Sequence, residues 1–176
     1  VYNIKQSTIM ETTNATATVI TPEQILKHWQ GHRGLTRRVI EAFPEKELFT
    51  FSVGGMRPFA QLAMEIIDLT GPGVEGIITG EWPAMGALPH ASGKGMPETK
   101  EALLAKWDET TQTLNHYFAQ IKAEQFSQPL KASGAYDGTV LSSIQYYVDN
   151  EIHHRAQGYV YLRALGIEPP AFWDRP

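Results

Sequence analysis

The sequence predicts an all-α fold, a four-helix bundle with a long crossover between helices 2 and 3. Three observations predict it. Apolar residues recur at steps of three and four along four long stretches. Segments rich in Gly and Pro separate those stretches, and strand signals are few. With 176 residues, 42% of them apolar, the chain suits one domain with a sizeable core. That domain is placed at residues 21–176, with no internal repeat and no second domain. Residues 1–20 read as a disordered or extended N-terminal segment, with roughly the first 18 poorly ordered. They are rich in Thr, Asn and Ser and lack the apolar core of a signal peptide. Met10 is a candidate natural start, which makes residues 1–9 an upstream extension.

The first helix is announced by Thr21-Pro22-Glu23-Gln24. Thr21 can cap, Pro22 suits the first turn, and Gln24 completes a capping box. It is expected to run to about Phe43, because Pro44 follows. Gly31 and Gly34 inside it each cost about 1 kcal/mol of helix propensity, and close packing of another helix is the expected reason. Pro44 to Gly55 reads as a connection, with Leu48, Phe49, Phe51 and Val53 tucked under the bundle. The second helix starts near Met56 or Arg57. It ends around Thr70-Gly71-Pro72-Gly73, or kinks there and continues to Gly80. Glu65 falls between Leu62 and Leu69 on or beside its buried face.

Gly80 to Gly95 is the crossover, and its length suits a lid. His90 and Trp82 are its most chemically useful residues. The third helix begins near Pro97 to Thr99 and runs to about Ile121. Ala123 to Gly138 is a second connection, closed by Asp137-Gly138 as a turn. The fourth helix runs from Thr139 to Leu165, with Gly166 past its end and Pro169-Pro170 forbidding continuation. Phe172 and Trp173 are expected to pin the tail on the bundle.

Net charge is −4 and the pI about 5.9, and no basic run or basic helix face compensates. That argues against a nucleic-acid partner. There is no cysteine, hence no disulfide, no Cys-type zinc site and no Cys nucleophile. No apolar run approaches the roughly 20 residues that span a bilayer, so no membrane partner is expected. A cytoplasmic protein acting on a small molecule fits these features. No Gly-x-Ser-x-Gly, phosphate loop or dinucleotide fingerprint is present.

The chemistry concentrates on the fourth helix. Its buried stripe is Val140, Ile144, Tyr147, Glu151, His154, Gly158, Tyr161 and Leu165, all on one face. Two of these are ionisable, and Asn150 lies one turn before His154. Polar groups on a buried face must pair or bind something. Glu151 is a weak candidate for a general base, and a pair with Arg155, four residues on, is its favoured reading. Asp149 and His153 read as a local surface or interface pair. His28 and His32 have ligand spacing on the first helix, but no acid lies near them in sequence. They read as pocket-wall or partly exposed residues. Trp29, Tyr147 and Tyr161 are further pocket candidates, with core packing the plainer role of each.

Asn150-Glu151-Ile152-His153-His154-Arg155-Ala156-Gln157, then Tyr161-Leu162-Arg163 and Gly166 to Pro170, resembles the DinB-like family, also called YfiT-like. The family pattern is close to His-x-x-x-His-Arg-Gly-Gln followed by Tyr-Leu-Arg and a Gly–Pro tail. Arg57-Pro58-Phe59 resembles the start of the family's second helix. The resemblance covers roughly residues 21–176 and implies the DinB/YfiT-like bundle. It also implies a divalent metal site whose three positions fall on Glu65, Asn150 and His154. Only His154 keeps the family's histidine, and Ala156 stands where the family has Gly. The metals implied are zinc, nickel, manganese or iron, with a low-molecular-weight thiol or water activated on them, and the implied assembly is a homodimer. Two functions follow as expectations. One is a metal-dependent enzyme, either a thiol-dependent transferase or isomerase or a metal-assisted hydrolase, with a variant Glu/Asn/His site. The other is a non-catalytic bundle that has lost the metal and binds a small ligand or serves as a dimeric scaffold.

Overall fold

The computed structural model describes residues 19–175. The expected N-terminal segment therefore lies almost wholly outside the described residues. Helix α1 is Pro22–Ala42. Thr21 caps it: its hydroxyl accepts from the Gln24 amide at 3.2 Å, and the Gln24 side chain accepts from the Thr21 amide at 2.9 Å. Gly34 has nothing within 4 Å of where a Cβ would sit, so close packing is not the reason for a glycine there. Past Pro44 the chain forms a short helix, α2 (Glu45–Thr50), where a plain connection is expected. Glu45 and Glu47 in its first turn favour the helix through its N-terminal partial charge. Leu48 is fully buried as expected.

Helix α3, Phe59–Thr79, takes the longer of the two expected courses and runs through Pro72 to Gly80. An interior proline costs about 3 kcal/mol of helix propensity. Here tertiary packing outweighs it, because Gly71, Gly73, Val74 and Gly76 around it are all buried. Gly80 ends the helix at φ 77°, a conformation glycine adopts without a Cβ clash. The crossover contains a 3-10 turn at Met85–Ala87 and a short helix, α4 (Pro89–Ser92). Helix α5 is Lys100–Phe118, capped by Thr99 on the Ala102 amide at 3.1 Å.

The second connection differs from expectation. It folds as an antiparallel hairpin of β1 (Pro129–Ala132) and β2 (Tyr136–Thr139). Asp137 and Gly138 pair with Lys131 and Leu130 within the ladder, so they are strand residues rather than the turn. The turn is Ser133-Gly134-Ala135, with Ser133 and Gly134 at φ 51° and 67°. Helix α6, Val140–Ala164, follows directly, with Thr139 and Ser142 as its capping box. Phe172 and Trp173 stay exposed, at 63% and 72%, and do not pin the tail. An Arg38–Asp174 ion pair at 2.7 Å ties it to α1 instead, and Pro169 is buried.

The bundle is α1, α3, α5 and α6, with α1 and α3 each packed on both α5 and α6. Its apolar interior is two clusters rather than one. The first holds Val39, Phe43, Phe59, Ile66, Trp107 and Tyr161. The second holds Trp29, Val74, Leu114, Phe118, Ile144 and Tyr147. All four helices pass between the clusters at polar residues: Arg33 and Thr36 on α1, Asp68 and Thr70 on α3, Thr110 on α5, and Glu151, His154 and Arg155 on α6. A polar layer thus divides the core midway, and the candidate site is part of it.

Candidate functional site

The layer has two halves. The half between α1, α5 and α6 centres on Glu151, which is fully buried. Its carboxylate accepts from the Thr36 hydroxyl at 2.7 Å and from the Trp29 indole N–H at 3.3 Å. Two guanidinium groups face it, Arg33 at 3.7 Å and Arg155 at 3.9 Å. The pair with Arg155 expected from the i, i+4 spacing is thus joined by a cation from α1. Arg33 stacks 3.4 Å from the Trp107 ring centroid and donates to the Trp107 carbonyl at 3.0 Å. Burial pushes its guanidinium down to about 10, against the pull of Glu151 and Asp108.

His32 is buried beside this group, with Nδ1 at 2.9 Å from an Arg155 guanidinium nitrogen and Nε2 at 3.2 Å from the exposed His28. Burial first, then the charges of Arg155, His28 and Arg175, hold its imidazole down to about 3. His28 and His32 therefore contact each other, α6 and the tail, and Trp29 contacts Glu151. Glu151 itself is enclosed by donors, with no open position beside it for a reacting group.

The other half lies between α3 and α6 and brings together Glu65, Asn150 and His154. Glu65 Oε1 is 3.1 Å from His154 Nε2 and 3.3 Å from Asn150 Nδ2, which donates to it. Glu65 Oε2 accepts from Arg57 at 2.5 Å. The N–H contact from His154 is the main reason the Glu65 carboxyl is lowered to about 2; burial opposes it and Arg57 adds to it. On the far side of the ring, Nδ1 of His154 is 3.0 Å from Gln157 Oε1. Both ring nitrogens therefore face side-chain oxygens. Asn150 Oδ1 is buried without a partner. Tyr161 sits outside this set, its hydroxyl donating to the Arg57 carbonyl at 2.9 Å.

One turn along α3 and α6 from the trio is a cavity of about 240 Å³. Leu69 and Met85 form its apolar base, Tyr136, Tyr146 and Tyr147 its aromatic wall, and Asp137 stands at its hairpin edge. Of the pocket candidates His28, Trp29, Tyr147 and Tyr161, Tyr147 is the one that lines it. Tyr147 is seated by Gly73, where a Cβ would come within 2.6 Å of the ring. Tyr146 lines the cavity and lies one helical turn before Asn150. Burial, then the Glu65 charge, then Tyr136 raise its phenol.

A model of the DinB family matches residues 10–174. The chain belongs to the DinB family. Two solved DinB-like proteins are similar in fold. That of Bacillus cereus ATCC 10987 is 12% identical with a TM-score of 0.68, covering 85% of this chain and 95% of its own. That of Bacillus subtilis is 20% identical with a TM-score of 0.63, covering 85% of this chain and 97% of its own. No curated protein matches. No helix among the described residues is long and apolar enough to cross a membrane.

The donor chemistry can be weighed against the divalent ion that the DinB resemblance implies. Glu65 and His154 are good ligand types, but Asn150 presents its amide nitrogen, which cannot ligate, toward the carboxylate. Arg57 already holds the second carboxylate oxygen, and a dication there meets a guanidinium. Among the described residues no group of three or more His, Cys, Asp or Glu is placed to hold an ion. This trio does not fit a three-ligand metal centre. Four residues of the site had no role predicted from sequence: Arg57 and Gln157, which entered only as parts of the family motif, and Tyr136 and Tyr146. Of the two tyrosines, Tyr146 had a usable signal, lying one helical turn before Asn150.

Proposed function

We propose that this DinB-family chain is a metal-free bundle that binds a small molecule in the cavity beside Glu65, Asn150 and His154. The observation that carries this reading is the Arg57 guanidinium on Glu65, 2.5 Å from Oε2. With His154 Nε2 at the other oxygen, a guanidinium and an imidazole nitrogen occupy the places around the carboxylate that one metal ion would need. The trio then stands as a fixed polar group beside the cavity, one helical turn from Leu69 and Tyr146 on its lining. Elemental analysis of protein purified without chelator or added metal tests this, together with melts in zinc, nickel, manganese and ferrous iron. The expected result is no stoichiometric metal and no rise in Tm. One equivalent of metal, lost in both Glu65→Gln and His154→Ala, overturns it.

A metal-dependent enzyme is the second reading. It draws support from Gln157, which orients Nδ1 of His154 as partners of ligating histidines do, and from the unpartnered Asn150 Oδ1. It requires Arg57 to leave Glu65 and the Asn150 amide to turn over. An ion held by Glu65, Asn150 and His154 would supply Lewis acidity to a bound low-molecular-weight thiol or water.

The exposed face of α6 fits a second copy of the chain. Asp149, Ile152, Ala156, Val160 and Arg163 recur there at steps of three and four, and all are exposed among the described residues. Antiparallel pairing of two α6 helices about Ala156 sets Ile152 against Val160 and Asp149 against Arg163 of the other copy. Apolar meets apolar and acid meets base, with a small residue at the axis.

A further inference from the structure

The cavity between the hairpin and α6 has a lining of one chemical kind. Three of its walls are tyrosines: Tyr136 on β2 and Tyr146 and Tyr147 on α6. Tyr146 and Tyr147 meet edge to face, with ring centroids 6.1 Å apart, so their faces are turned in different directions about a shared corner. Met85 and Leu69 close the base, and Ser133, Ser142 and Ser143 supply hydroxyls. Among the described residues the charged group on the lining is an acid, Asp137, and no Lys, Arg or His lines the cavity. The basic side chain nearest Asp137, Lys131, reaches it at 4.0 Å with both groups largely in solvent, an ion pair of little strength.

Such a lining selects by charge. The negative face of an aromatic ring attracts a cation and repels an anion, and three rings around one space add their attractions. An anionic ligand would find hydroxyls here but no counter-charge. A plain hydrocarbon would gain contact area but nothing from Asp137. We propose that this cavity binds a small organic ammonium, a quaternary or fully alkylated amine carried on a short apolar or hydroxylated body. The proposal rests on the ligand-binding reading above and narrows it to one class. The ammonium sits against Tyr136, Tyr146 and Tyr147 with Asp137 at the opening, and the body lies on Leu69 and Met85. Tyr136 and Tyr146 are 64% and 58% exposed among the described residues, so a cation would cover ring faces that water now covers.

Three probes of one shape separate the contributions: choline, its uncharged isostere 3,3-dimethylbutan-1-ol, and the anion 3,3-dimethylbutanoate. Each is titrated into the full chain and followed by amide chemical shifts. The expected result is that choline moves the amides of residues 133–138 and 142–147 in a saturable way. The uncharged isostere should bind more weakly by about tenfold or more, the combined size of the partly exposed cation–π contacts, and the anion more weakly still. Tyr146→Leu should weaken choline by about threefold, one ring's share, while weakening the uncharged isostere less. Tyr136→Leu, on the exposed hairpin, is a second variant free of any demand on the bundle core. Equal or tighter binding of the uncharged or anionic probe in the same amides overturns the ammonium assignment while upholding ligand binding. No saturable shift with any of the three overturns the ammonium assignment as well. The metal-free reading of Glu65 and His154 is judged separately, by metal content.

Discussion

Glu65→Gln tests the trio most directly, because it keeps the shape of the side chain and removes its charge. The carboxyl is lowered from its ordinary 4.5 to about 2, chiefly by the contact from His154 and then by Arg57. Taken through linkage, that fall corresponds to about 3 kcal/mol of folded-state stabilisation of the ionised form. The Arg57 side chain is 38% exposed, so its share is screened by solvent. The expected loss at pH 6 is therefore about 1–3 kcal/mol, read from urea unfolding of wild type and variant. The sign is fixed by the direction of the shift. A lowered carboxyl gives stability that is complete above 4.5 and disappears as pH falls toward 2. The gap between wild type and Glu65→Gln should be full at pH 6, smaller at pH 4 and about a quarter of its full size at pH 2.5. A variant as stable as wild type at pH 6 would refute the ion-pair account. So would a gap that does not change between pH 6 and pH 3.

Other substitutions follow from the rest of the bundle. Glu151→Gln removes the buried anion that Arg33 and Arg155 face, and should cost about 3–5 kcal/mol in urea unfolding. Gly158→Ala puts a Cβ 2.5 Å from the Phe59 ring where α6 crosses α3. It should lower stability by about 1–3 kcal/mol, measured as a fall in the urea midpoint at unchanged slope. Gly34→Ala meets open space inside α1 and should raise stability by up to about 1 kcal/mol. On the proposed α6 pairing, wild type should run as a dimer and Ile152→Glu as a monomer in size-exclusion chromatography with light scattering, at unchanged helicity.

Much of this fold was legible in the chain because its helices are locally determined. Thr21 with Gln24, Thr99, Thr139 with Ser142, and Gly166 mark helix ends through bonds and torsions spanning a few residues. The α6 stripe was legible too: Val140, Ile144, Tyr147, Glu151, His154, Gly158 and Tyr161 are all buried, polar members included, while Leu165, past the last helical residue, is half-buried. Periodicity needs no knowledge of the partner helix. Local signals misled, or left two courses open, where a distant partner decided the outcome. Asp137-Gly138 has turn chemistry, yet it pairs with Leu130 and Lys131 in a ladder. Pro72 has breaker chemistry, yet α3 continues through it because both sides are packed.

The sequence by itself determined that Glu151 and His154 interrupt an apolar face with Asn150 beside them, and that Glu65 lies on or beside the buried face of another helix; that Glu65 shares a site with Asn150 and His154 came from the family resemblance. Only the tertiary structure decided what each one faces. Glu151 turns to Thr36, Trp29 and Arg33 on α1, while Asn150 and His154 turn to Glu65 on α3. Arg57, two turns before Glu65, then completes that carboxylate's contacts. Neighbouring positions on one helix diverge by about 100° per residue, so adjacent polar residues belong to different interfaces. Which cation reaches which carboxylate is fixed by the packing of four helices around one shared layer, and no window along the chain contains it.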